Sequence, residues 1–217
     1  MPKLRQTSIE NNHQGFANLT KQWTPDFGEG SLSKYLVKHG IGHLFEIGDK
    51  NGVRDRLLNL HYFNELYETI EWIGVLQYWR DLGEVENAGE AYLQVVEEAL
   101  SGEVDRTLLD TIKVPGVFCL NANWLDKGLK ITEKCLEMHQ EMFGEEHPKT
   151  LLSVNNMGEL LWKMGNNEEA EKYYKRALEA QERVLGAEHP DTLMSVNNMG
   201  VLLLDMGQYE EAEKYIK

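Results

Sequence analysis

HPKTLLSVNNMGELLWKMGNNEEAEKYYK runs from His147 to Lys175, and HPDTLMSVNNMGVLLLDMGQYEEAEKYIK runs from His189 to Lys217. The two stretches start 42 residues apart and agree at 21 of 29 positions, among them the whole phrase SVNNMG at Ser153–Gly158 and Ser195–Gly200. Self-similarity at a fixed period of this size marks a stack of supersecondary units. Each unit reads as two helices. Pro148 and Pro190 suit a first helical turn, where the missing N–H is harmless. The first helix then runs to about Met164, with Leu151, Val154, Met157, Leu161 and Met164 recurring at three and four residues. Gly165 and Gly207 end it. A second helix is expected at Glu168–Leu185, with Ala170, Tyr174, Ala177, Gln181 and Val184 on its inner stripe. Gly158 and Gly200 stand inside first helices, where glycine costs about 1 kcal/mol relative to alanine. Their repetition indicates a neighbour packed too closely for a side chain.

The placing of Gly158, Leu161, Gly165, Ala170, Tyr174 and Ala177 resembles the tetratricopeptide repeat signature. The period, the loop Leu185–Leu193 and the phrase SVNNMG resemble the kinesin light chain subtype, over Gly144–Lys217. The resemblance implies an all-α fold, a right-handed superhelical solenoid of helix-turn-helix repeats.

Upstream the pattern is worn. A shift of 42 residues places Gly116, Gly128, Cys135 and Leu136 under Gly158, Ala170, Ala177 and Leu178. Residues 105–146 therefore read as a degenerate repeat, with Pro115 expected to kink or shorten its first helix and Asn123 in the place of the terminal glycine. Thr69–Leu100 shows Gly83, Ala88 and Tyr92 at the same mutual spacing and reads as a further divergent pair. Ser31–Phe63 is helical without being a repeat: Val37, Ile41, Leu44 and Phe45 could line one face, with Leu57, Leu58 and Leu60 on a second helix. Its wording is similar to segments that join nucleotide-hydrolysing modules to repeats in nephrocystin-type and other signal-transducing NTPases of the STAND class. The expected organisation is a polar, poorly ordered segment at 1–30, a divergent helical region at 31–104, a degenerate repeat at 105–146, a repeat at 147–188 and a truncated one at 189–217. Lys217 aligns with Lys175, midway through a second helix, so the sequence reads as a fragment of a longer array.

Composition narrows the function. The 217 residues carry 22 Lys and Arg against 36 Asp and Glu, a formal charge of −14. A nucleic-acid binder needs cations to displace counterions from phosphates, so DNA, RNA and anionic membrane are not the expected partners. No apolar run reaches the length of a membrane span. Cys119 and Cys135 fall on apolar helical positions and lack metal-site spacing, so they read as buried thiols of a reducing, cytoplasmic compartment. The sequon Asn18-Leu19-Thr20 is read as chance. Gly40–Lys50 lacks the GK[ST] ending and the strand of a phosphate loop. The histidines do not cluster, and no nucleophile–base pair or metal constellation stands out, so no enzyme activity, metal or cofactor is expected. His147 and His189 recur at one repeat position and suit the turn between units.

Leu152, Asn155, Glu159 and Trp162 share one side of the first helix, apart from the core stripe. Met194, Asn197, Val201 and Leu204 are their counterparts. An asparagine amide can donate to and accept from an extended peptide backbone, and the flanking Met, Leu and Trp supply apolar pockets. By resemblance to kinesin light chains, Asn155 and Asn197 would contact a peptide in the concave groove, or stand there as solvated polar groups. Asn156 and Asn198 are expected nearer the seam between repeats, bonding local backbone. The expected function is a non-catalytic scaffold for a protein or peptide segment. The alternative is the sensor or autoinhibitory arm of a larger signalling NTPase, and a third reading is self-association through the uncapped C-terminal face.

Overall fold

The computed structural model describes residues 2–24 and 30–215, with side chains described from residue 12 onward. Every regular element among them is a helix. The chain divides into two compact units, Met1–Glu103 and Val104–Lys217.

The first unit holds α1 (Pro2–Gln22), α2 (Ser31–Glu46), α3 (Lys50–Leu58), α4 (Leu60–Leu82) and α5 (Val85–Leu100). Residues 2–22, expected to be poorly ordered, form a helix instead. The polar composition hides a narrow buried edge: Ala17, Thr20 and Trp23 have almost no exposure. Gly40 of α2 allows the approach, because a Cβ there would lie 2.3 Å from Thr20 Oγ1. The Trp23 indole is buried and donates to Ser33 Oγ at 3.0 Å. Arg56 of α3 caps the end of α1 by donating to the Trp23 carbonyl at 3.1 Å. Val37, Ile41 and Leu44 are buried on α2, while Phe45 is half-buried and stacks on Tyr78. Leu57 and Leu60 are buried on the two sides of the α3–α4 turn. That turn is set by Asn59, whose Oδ1 accepts from the Tyr62 N–H at 2.9 Å. Glu71 breaks the regularity of α4 with φ 57° and ψ 174°. Residues 72–82 then pair with α5 through Gly83, which turns the chain at φ 78°, and the Trp79 indole donates to the Tyr92 hydroxyl at 3.1 Å.

The second unit holds α6 (Arg106–Asn121), α7 (Leu125–Phe143), α8 (Pro148–Lys163), α9 (Asn167–Val184), α10 (Pro190–Asp205) and the short α11 (Tyr209–Ala212). Each helix packs on the next, as helix-turn-helix pairs must when a single pair cannot bury its own apolar face. Pro115 does not shorten α6, which has the same 16 residues as α8 and α10. The lost N–H removes one internal bond, and the Pro115 ring is buried. Asn123 takes φ 62°, the left-handed turn that Gly165 and Gly207 supply in the later pairs. Asparagine tolerates that region better than other side chains. The boundaries of α8 and α9 fall within one residue of those read from the sequence, the usual uncertainty of a frayed end.

The core of this unit is continuous from pair to pair. Leu136, Val154, Met157 and Ala177 form one cluster. Leu161, Ala170, Tyr174, Met199, Leu202, Leu203 and Ala212 form the next. Gly158 is the point of closest approach: a Cβ there would lie 2.7 Å from the Tyr174 ring. Gly158 therefore makes room for Tyr174 of the second helix.

Candidate protein-binding surface

The first helices of the repeats carry the candidate residues, and His147 and His189 start them. Each histidine has an extended backbone, and its Nδ1 accepts from the N–H two residues on, Lys149 or Asp191, at 3.2 Å. The two imidazoles thus act as N-caps, which satisfies a donor that the helix itself leaves unpaired. The proline that follows has no N–H to satisfy.

The structure separates the two asparagines expected in the groove. Asn155 is 1% exposed. Its Oδ1 accepts from Asn198 Nδ2 at 3.2 Å and lies 3.1 Å from Ser195 Oγ, both on α10. Asn197, its counterpart 42 residues on, is exposed. Asn155 is therefore a seam residue rather than a groove residue, because α10 covers it with the next copy of its own phrase. Asn198 lies in the seam as read from the sequence, but its partner is a side-chain amide rather than local backbone.

Ser195 also lies 2.6 Å from the Gln181 amide of α9. A hydroxyl has one proton to give. Ser195 Oγ–H therefore goes to Gln181 Oε1 or to Asn155 Oδ1, and Gln181 Nε2 is buried without a hydrogen-bond partner. One repeat earlier the same two positions hold His139 and Ser153, with Nδ1 and Oγ 2.9 Å apart. Burial holds His139 below the usual histidine range, and Lys149, Lys113 and His147 add to the effect, while Asp110 opposes it. These polar partners were missed from sequence. Gln181 reads as a core-stripe residue by spacing alone, and the one available signal was its alignment with His139 at the repeat period.

The remaining candidates form a graded surface. Leu152 and Glu159 are half-buried on α8, and Glu159 pairs with Lys163 at 3.4 Å. Trp162 is half-buried against the Leu202–Leu203 core, and its Nε1–H donates to Asp205 Oδ2 at 2.8 Å. On α10, Met194 and Leu204 are 37% and 41% exposed, and Val201 is half-buried. Leu193 beside them is 53% exposed. The structure brings Met194, Asn197, Val201 and Leu204 onto one open side of α10, and it places Asn155 and Trp162 in contacts with the next helix.

Both thiols are buried and unpaired with each other, and burial pushes Cys119 and Cys135 up to about 12. Among the described residues, no three His, Cys, Asp or Glu side chains form a metal-holding group. No described helix is long and apolar enough to cross a membrane.

Residues 150–217 match the family model described as tetratricopeptide repeat. Nephrocystin-3 of Homo sapiens is 29% identical over 136 residues, which cover 59% of this chain and 10% of that protein. The chain thus spans about a tenth of the length of this curated relative. Among solved structures, a Podosopora anserina protein described as a kinesin light chain with nearly identical TPR-like repeats superposes with a TM-score of 0.57. Its identity is 17%, and the match covers 95% of this chain and 92% of that one. BtubC (BKLC) of P. vanneervenii gives 0.52 at 19% identity, covering 81% of this chain and 70% of the other. Likeness at these identities speaks for the fold alone: residues 150–217 match the tetratricopeptide repeat model, the described residues are helical throughout their regular elements, and the structural neighbours are kinesin-light-chain-like repeat proteins.

Proposed function

We propose that the second unit binds a protein or peptide segment along its first helices, chiefly on the open side of α10. The observation that carries this reading is the run Met194, Asn197, Val201 and Leu204: an amide flanked by accessible apolar side chains on one helix face. Such a face offers pockets for side chains and a donor–acceptor pair for a ligand backbone. Leu152, Glu159 and Trp162 extend the surface onto α8. Asn155 supports it from beneath by fixing α10 on α8. The matched repeat family and the repeat-protein neighbours support an interaction scaffold in general. A cytoplasmic setting agrees with two unpaired buried thiols.

Peptide display against the whole chain tests the reading. Selected peptides should lose at least tenfold in affinity on Met194→Glu and Leu204→Glu, with melting unchanged. Selected peptides that bind both variants as well as wild type would refute it.

A second reading is an arm of a larger signalling protein, in which this surface holds another part of the same polypeptide. It is favoured by the likeness to Nephrocystin-3, a relative about ten times the matched length. Binding of display peptides competed by the parent protein's own upstream region would favour this reading.

A further inference from the structure

The first unit contains an imidazole cluster that the repeats do not use. His13 of α1 and His43 of α2 face each other with their Nδ1 atoms 2.7 Å apart. Phe16 stacks on the His43 ring at 4.9 Å and 17°. The other nitrogen of His43 is 2.9 Å from the Tyr35 hydroxyl. His39 lies one turn away, with its ring 4.9 Å from Tyr35. Two facing Nδ1 atoms at that distance need one N–H and one lone pair between them. The neutral pair provides this. So does the pair with one extra proton, because a protonated His43 donates to His13 through Nδ1 and to Tyr35 through Nε2. With both rings protonated, two N–H groups and two positive charges oppose each other at 2.7 Å.

We propose that the His13–His43 pair is an acid-released latch, holding α1 on α2 while the two rings share at most one extra proton and freeing α1 when both are charged. Among the described side chains, the opposing charge at His43 comes from Glu46. On α2 itself His39 adds to the repulsion. Lys21 of α1 is engaged by Asp49 ahead of α3. Arg56 of α3 is spent on the Thr20 and Trp23 carbonyls. From α4, Tyr62 donates to the Leu36 carbonyl and Tyr78 lies on Phe45. Burial together with His13 and His39 holds His43 below the usual histidine range. A depressed histidine contributes stability that is complete above the ordinary value near 6.5 and is lost as pH falls through the lowered one.

The test uses the whole chain with nitrogen-15-labelled tryptophan, following the Trp23 indole, which reports docking through its bond to Ser33. Gly40→Ala, which cannot accommodate Thr20, supplies the undocked signal at pH 7.5. Wild type should move toward that signal between pH 7 and 5. His13→Gln, whose amide can pair with His43 without acquiring charge, should stay docked throughout. Loss of docking by His13→Gln over the same range as wild type would overturn the latch, as would a wild-type indole unchanged at pH 5. Should His13→Gln fail to dock at any pH, the wild-type imidazole titrations decide. Two separated steps, the lower coinciding with the indole change, support the latch, and two independent ordinary titrations overturn it.

Discussion

Asn155 and Asn197 are the same residue in the same phrase, and the structure gives them opposite surroundings. The first is sealed under α10 and serves as an acceptor for Ser195 and Asn198. The second faces outward. The difference teaches that SVNNMG is written twice because each copy has two edges. At the seam between the copies, Ser195 and Asn198 of the second reach back to Asn155 of the first, and Ser153 of the first reaches back to His139. Position in the stack, rather than residue type, decides whether that amide is structure or surface.

The largest effects should come from the packing of α8 on α9. Tyr174→Ala removes a fully buried ring and is expected to cost about 4 kcal/mol, as for other large aromatic deletions. Urea unfolding followed by hydrogen exchange in α8 and α9 would measure it. Gly158→Ala pushes a methyl group to 2.7 Å from that ring and should cost about 2 kcal/mol through overpacking. Gly116→Ala is the sharper comparison. Its Cβ would meet Thr132 and Ile131 at 3.1 and 3.2 Å, and the gain in helix propensity of up to about 1 kcal/mol offsets the crowding. Its unfolding midpoint should stay close to that of wild type.

The two seams should also part company with pH. His139 titrates below the usual histidine range and bonds Ser153, whereas Gln181 in the next seam carries no charge at any pH. The stabilisation from His139 is complete above pH 6.5 and falls away as pH drops through its lowered value. Hydrogen exchange at pH 7.5 and 5.5 should therefore show α8 losing protection on α7 before α10 loses it on α9. His139→Gln should remove the difference. The smallest effect concerns the thiols: with both raised to about 12 by burial, Cys119 and Cys135 should react with a thiol reagent at pH 7 only as fast as the second unit opens.

The second unit was legible in the sequence because its period repeats both helices and the turn between them. The glycine opposite a tyrosine, the left-handed turn and the apolar stripe each follow from local spacing. The exposure of Asn155 did not follow, since helical periodicity places a residue on a face without saying whether another helix covers that face. Gln181 stands on the inner stripe as read, fully buried, while Val184 of the same stripe is 42% exposed at the end of α9. α1 was missed because, among its described side chains, the buried edge is Ala17 and Thr20, continued by Trp23, among polar neighbours and too few for a periodic signal. Pro115 was expected to kink or shorten α6, which keeps the 16-residue length of α8 and α10 with the proline buried.

The measurement that bears most directly on the account is the unfolding free energy of Asn155→Ala beside that of Asn197→Ala. Removing Asn155 leaves Asn198 Nδ2 without its buried acceptor and opens a gap under α10, while Ser195 keeps its bond to Gln181 Oε1, at an expected cost of about 1–3 kcal/mol. Removing the exposed Asn197 should change stability by less than about 0.5 kcal/mol. Equal losses in the two variants, or a larger loss at Asn197, would contradict the reading of Asn155 as the acceptor that joins the two copies of SVNNMG.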